Sequence, residues 1–220
     1  MDWDEHAERE EERYRDGLDR LPDDPDGRQK QLVRVAMAAG AAGLARLMQG
    51  RRGEAAGWLA RAAERYRQSY DGAPAGSWGR LIGAVKSCIL AGDWEGAADD
   101  ARWALEQGPA ESGSPIGAYA AALASLTLGA DADAAQAASL LQGRPEDEFP
   151  APVADALAAL AAHDREAYGG AVARVLESFE TREAHLEDIP VADTVLVLEA
   201  FATRRGLSAG LRSPLLPDRG

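Results

Sequence analysis

The 220-residue chain predicts an all-α fold, a tetratricopeptide-like array of α-hairpins with about ten helices. Three observations lead there. One phrase, an apolar-rich helix followed by a tight corner and an Ala-rich amphipathic helix, occurs four times: "LMQGRRGEAA" from Leu47, "ILAGDWEGAA" from Ile89, "LTLGADADAA" from Leu126 and "LAAHDREAYG" from Leu160. The corners fall at Gly50, Gly92, Gly129 and His163, spaced 42, 37 and 34 residues apart, which is the period of helical-hairpin repeats. Each corner also has its own chemistry. A helix closes on a residue that tolerates positive φ, and the next opens on Asp93, Asp131 or Asp164, whose carboxylate suits the orphan N–H groups of a first turn.

The elements follow in order. Residues 1–25 form an acidic N-terminal segment, helical from Trp3 to Leu21 and stopped by "LPDDPDG". Its few apolar residues, Trp3, Tyr14, Leu18 and Leu21, give one thin stripe, so a solvated and partly frayed helix is expected. Residues 26–220 then form a single α-hairpin repeat domain. Small residues after the corners, Ala97 with Ala98 and Ala134 with Ala135, allow the helices of a hairpin to approach closely. On the helix after Asp93, the positions Trp94, Ala98, Ala101 and Leu105 share a face, and Trp103 lies about half a turn round the axis from Trp94. Ser112–Ala130 carries no charge but holds Pro115 and several Gly, and reads as a buried helix rather than a membrane span. "PEDEFP" reads as the acidic opening of the next helix. The last helix is expected from Asp188 as N-cap, through Pro190, to Gly206. Arg204 and Arg205 suit its negative end, and Val191, Val195, Leu196, Val197, Leu198 and Phe201 wrap its circumference. A helix so apolar needs cover, for which "LRSPLLP" is the nearest segment.

Composition narrows function. Asp and Glu number 37 against 24 Lys and Arg, a net charge of −13, which disfavours nucleic acid and anionic membranes as partners and suits a basic protein. Residues 2–26 hold twelve acids and four Arg, and so carry most of that charge. One cysteine, Cys88, allows no internal disulfide, and "MDWDEHAEREEERYRD" is the opposite of a signal sequence, so a cytoplasmic location is expected.

Catalytic and metal patterns are missing. His6, His163 and His185 have no zinc spacing, and Cys88 fits a small core residue. "GLSAG" at Gly206–Gly210 matches a nucleophile elbow in letters only, because that motif needs a strand before the Ser and here a helix precedes it. Asp99 and Asp100 are neighbours on a helix, pointing about 100° apart, as on a solvated face. No catalytic residue, cofactor or metal is expected.

The C-terminal half resembles a known family. "LAALAAHDREAYGGAVARVLESFETREAHL", the apolar "VADTVLVLEAFATRRGL" and the closing "SPLLP", together with "SWGRLIGAVKSCILAGDWEGAADDARWAL" upstream, are similar to the immunity protein 49 family of bacterial polymorphic-toxin systems, over most of residues 77–217. His163 stands where that family usually has Gly, and Leu215 where it has Tyr. The resemblance implies a non-enzymatic protein that neutralises a cognate toxin by stoichiometric binding in the cytoplasm. The acidic balance fits a basic toxin domain. The alternative is a tetratricopeptide-like adaptor holding a peptide, although the first helix of each hairpin is Ala- and Leu-rich rather than lined with Asn, Lys or Arg. For the partner-binding surface the sequence offers Trp103, Asp99 and Glu106 on the second hairpin, and Trp3 and Glu12 on the N-terminal helix: aromatic anchors beside carboxylates.

Overall fold

The computed structural model describes residues 2–218, apart from the side chain of Leu186, and within them there are ten α-helices and no strand. The helices are α1 (Trp3–Asp19), α2 (Pro25–Met48), α3 (Arg52–Tyr70), α4 (Trp78–Ala91), α5 (Trp94–Glu106), α6 (Pro115–Leu128), α7 (Asp131–Ser139), α8 (Ala151–Ala161), α9 (Arg165–Glu180) and α10 (Asp193–Arg205). Two compact units share the chain. The first runs to Asp93 and includes Glu183–Val191 and the tail from Ser213; the second comprises Trp94–Arg182 and Ala192–Arg212.

Every expected corner is left-handed. Gly50, Gly92 and Gly129 have φ of 73°, 78° and 73°, and His163 adopts 54° although it carries a Cβ. The "GDW" stretch is thus a helix-to-helix corner, and the first unit gives way to the second within it. Asp164 caps α9 as expected, accepting from the Ala167 N–H at 3.0 Å. Asp131 does not cap: α7 opens at Asp131 itself after Ala130, with no side-chain cap bond, because the carboxylate is engaged by His163 of the corner after α8 and by Arg205 of α10. Asp188 does not cap the last helix either. It closes a short 3-10 turn with φ 54°, and α10 begins only at Asp193, since Ile189–Ala192 run outside the helix. The helix ends as expected on Gly206, behind Arg204 and Arg205.

In the first unit α1, α2, α3 and α4 pack in succession. A glycine marks each crossing. A Cβ on Gly17 of α1 would meet Val35 Cγ2 at 2.6 Å, on Gly43 of α2 Leu59 Cγ at 2.7 Å, and on Gly83 of α4 the Tyr66 ring at 2.6 Å. The core here joins Tyr14, Val35, Ala38, Ala39 and Ala62, with Leu18, Trp58 and Tyr66 packed against it. Helix α1 is therefore docked rather than frayed. Its buried positions are Ala7, Glu10, Tyr14 and Gly17, whereas Trp3, Leu18 and Leu21 stay half-buried. The charged pattern hid this face because one of its members is a glutamate, fully buried between Arg9 at 2.9 Å and Arg13 at 2.6 Å.

In the second unit α6 packs on α5 and α7, and α8 on α7 and α9, with α10 against α8 and α9. Nine of the fourteen residues of α6 are buried, as its uncharged sequence predicts. Glu146 of "PEDEFP" accepts from the Ala151 N–H at the start of α8, 3.2 Å away. After the corners Ala97 and Ala134 are buried, but Ala98 and Ala135 are not. Helix α5 buries Ala97, Asp100, Ala101 and Ala104. Asp100 is therefore not on a solvated face: the spacing of three, four and seven from Ala97 carries it inward with the alanines, to 1% exposure.

Candidate functional site

The ends of α6, α8 and α10 meet through side chains. His163 Nε2 lies 2.7 Å from Asp131 Oδ2, and Arg205 Nη2 donates to Asp131 Oδ1 at 3.0 Å and to the Leu126 carbonyl at 2.9 Å. Partial burial alone would raise the Asp131 pKa; the hydrogen bonds and charges of His163 and Arg205 outweigh it and hold the carboxyl below its ordinary range. Arg165 adds a bond to the Gly206 carbonyl. This constellation ties the ends of three helices together.

A second polar cluster lies inside the same unit. Glu199 of α10, 7% exposed, accepts from Tyr168 Oη at 2.9 Å, Ser208 Oγ at 2.7 Å and the Ala209 N–H at 3.0 Å. Ser208 is the serine of "GLSAG", and its hydroxyl is spent on this glutamate. The residues after α10 are thereby stitched back onto it. Cys88 is buried in the core of α4, and no group of three His, Cys, Asp or Glu among the described residues could hold a metal. No described helix is long and apolar enough to cross a membrane.

The surface of α1 differs from these internal clusters. Glu5, Glu8, Glu12, Asp16 and Asp19 are all exposed and follow one another at intervals of three, four, four and three. That spacing places all five on one stripe of the helix, diametrically opposite the docked face of Ala7, Glu10, Tyr14 and Gly17. Asp16 pairs with Arg20; the carboxylates of Glu5, Glu8, Glu12 and Asp19 make no contact with a cation among the described residues. The loop to α2 and that helix's first turn extend the negative surface with exposed Asp23, Asp24 and Asp26. Like charges at such spacing cost the helix a few tenths of a kcal/mol per pair. Docking of the opposite face offsets that cost, and Asp2 caps the helix through the N–H groups of Asp4 and Glu5 at 3.0 and 3.2 Å.

Of the residues expected to bind a partner, Glu12 sits at the centre of this stripe. Trp3 is nine positions away, on the other side of α1, half-buried with its ring 5.9 Å from that of His6. Asp99, Trp103 and Glu106 do share one face of α5, at intervals of four and three. Asp99 and Glu106 are exposed and Trp103 half-buried, and Asp99 is already bound to Arg102 at 2.6 Å. Trp94, on another face of that helix, packs in the second unit against Phe201, with ring centroids 5.8 Å apart, and under Arg204 at 4.2 Å.

The stripe was within reach of sequence reasoning: five acids at helical spacing are visible as soon as a register is assumed. The clamp at Asp131 and the buried Glu199 were not, because the partners of Asp131 are 32 and 74 residues distant and Tyr168 is 31 residues from Glu199. Compared with family models, curated proteins and solved structures, the chain matches none.

Proposed function

We propose that the chain is a non-enzymatic protein-binding module whose acidic α1 stripe receives a basic surface of another protein, and that it acts as an immunity protein, neutralising a toxin domain by stoichiometric binding. The observation that carries this reading is the row of exposed carboxylates, four of them without a cationic partner, on the outward face of a helix whose inward face is firmly docked. Such a row is electrostatically costly alone and becomes favourable against a complementary surface. It also speeds encounter, since steering by opposite charge raises association rates well above those of neutral surfaces. The narrower part of the proposal, including action in the cytoplasm, rests on the resemblance of most of residues 77–217 to the immunity protein 49 family. Asp99, Trp103 and Glu106 on α5 offer a second contact, with an aromatic anchor between carboxylates.

The test is capture from the native cytoplasm on immobilised protein, washed at low and then high salt, in parallel with the triple variant Glu5→Lys, Glu8→Lys, Glu12→Lys. One basic protein held in equimolar amount at low salt, released at high salt and missing from the variant, supports neutralisation through the stripe. Several unrelated proteins, or one partner held equally by the variant through a short peptide, would move the chain to the adaptor class.

A further inference from the structure

Beside the acidic stripe, and sharing Asp16 with it, the α1–α2 seam opens into a cleft of about 230 Å³ lined by Arg13, Asp16, Gly17 and Arg20 of α1 and by Gln31, Arg34, Val35 and Ala38 of α2. Both sets follow the same helical spacing of three, four and seven, so the cleft is a groove bounded by one face of each helix. Gly17 makes it possible. With no Cβ there, the backbones come together until Val35 fills the contact, and Gln31 Nε2 donates to the Gly17 carbonyl at 3.1 Å. The floor is apolar, formed by Val35 and Ala38, each 1% exposed, and the rim carries Arg13, Arg20 and Arg34 with Asp16.

We propose that this cleft binds one oxyanion group, a carboxylate or a phosphate carried by a small ligand. The donors are arranged for it. Arg34 is exposed and its guanidinium contacts no acid among the described residues, leaving its fork of N–H groups open. Gln31 spends one amide hydrogen on Gly17 and keeps the other. Arg20 meets Asp16 through Nη2, and Arg13 meets Glu10 at 2.6 Å and Glu187 at 2.5 Å through Nη1, so each retains N–H donors not used in these pairs. Those ion pairs also fix where the two guanidiniums stand, which lowers the ordering cost of a third, incoming anion. The apolar floor removes water from one side of the group and strengthens each charge-assisted bond over its value at an open surface. In a chain of net charge −13, the groove's three arginines balance Asp16, Glu10 and Glu187, which leaves the unpaired Arg34 as its open cation.

The experiment is a two-dimensional nitrogen–proton NMR titration of the full chain with inorganic phosphate and, separately, with succinate, at constant ionic strength maintained with chloride. Arg34→Gln removes the open guanidinium, and Arg52→Gln, at another exposed arginine of the first unit, repeats the charge change elsewhere. Saturable shifts at Gly17, the Gln31 side-chain amide and Arg34, weakened about tenfold or more by Arg34→Gln and unchanged by Arg52→Gln, are the expected result. Whichever of the two anions saturates first identifies the group. No saturable shift with either, or equal shifts in Arg34→Gln, would overturn the proposal. Because no protein partner enters the titration, its outcome is separate from that of the acidic stripe.

Discussion

At the scale of single residues, Asp131 shows how a carboxylate placed to cap a helix is drawn instead into bonds between helices. Asp93, Asp131 and Asp164 look alike in sequence, each following a corner. Yet Asp131 leaves its N–H groups to others and joins His163 and Arg205. Local spacing cannot show this, since Arg205 is 74 residues away. Asp131 is held below its unfolded pKa, so it contributes stability above the ordinary carboxylate range and loses it as pH falls through the folded value. Asp131→Asn is therefore expected to cost about 1 kcal/mol at neutral pH and nearly nothing near pH 2, which urea unfolding at a series of pH values measures. A larger penalty at low pH than at neutral would reverse the sign and refute the assignment. Glu199 gives a second prediction. Tyr168→Phe removes one of its donors without changing the shape of the core, and should cost about 1–2 kcal/mol in chemical denaturation. If stability is unaltered, the buried carboxylate is held by its other donors alone.

At the scale of elements, what was legible was punctuation. Gly50, Gly92, Gly129 and His163 were placed as corners from their periodicity, and all four have left-handed φ. The uncharged run became the buried α6, and Gly206 closes α10. Boundaries without such punctuation were missed: α10 starts five residues after Asp188, and α1 docks through a face containing Glu10, which no hydropathy pattern marks as inward. Close approach was sought in the alanines after the corners, whereas the tightest crossings of the first unit use Gly17, Gly43 and Gly83 within the helices. At Gly43 a side chain would press on Leu59 Cγ and on the Ala55 carbonyl, 3.3 Å from a Cβ, and the latter cannot rotate away. Gly43→Val is expected to lower stability by about 2 kcal/mol despite the gain of a side chain in mid-helix, read as a shift of the urea midpoint. An unchanged or raised midpoint would show that α2 and α3 are free to separate there.

At the scale of the whole molecule, the sign of the charge was legible in composition and its geometry was not. The −13 balance and its concentration before residue 26 were evident from composition. That Glu5, Glu8, Glu12, Asp16 and Asp19 share one stripe follows from their spacing, but that the stripe faces outward follows only once the docked face of α1 is known. The stripe is the centre of the functional account, and it makes a kinetic prediction: association with the captured partner slows steeply as salt is raised, as for steering by exposed charge. The most direct measurement is calorimetric titration of that partner into the wild-type chain and into Glu5→Lys/Glu8→Lys/Glu12→Lys, with circular dichroism to show that both are equally helical. The account predicts one partner per chain, with affinity at least about tenfold weaker in the variant at low salt and the difference shrinking as salt is added. Equal affinity for both proteins at every salt concentration would contradict it, and would remove the acidic face of α1 from the binding surface.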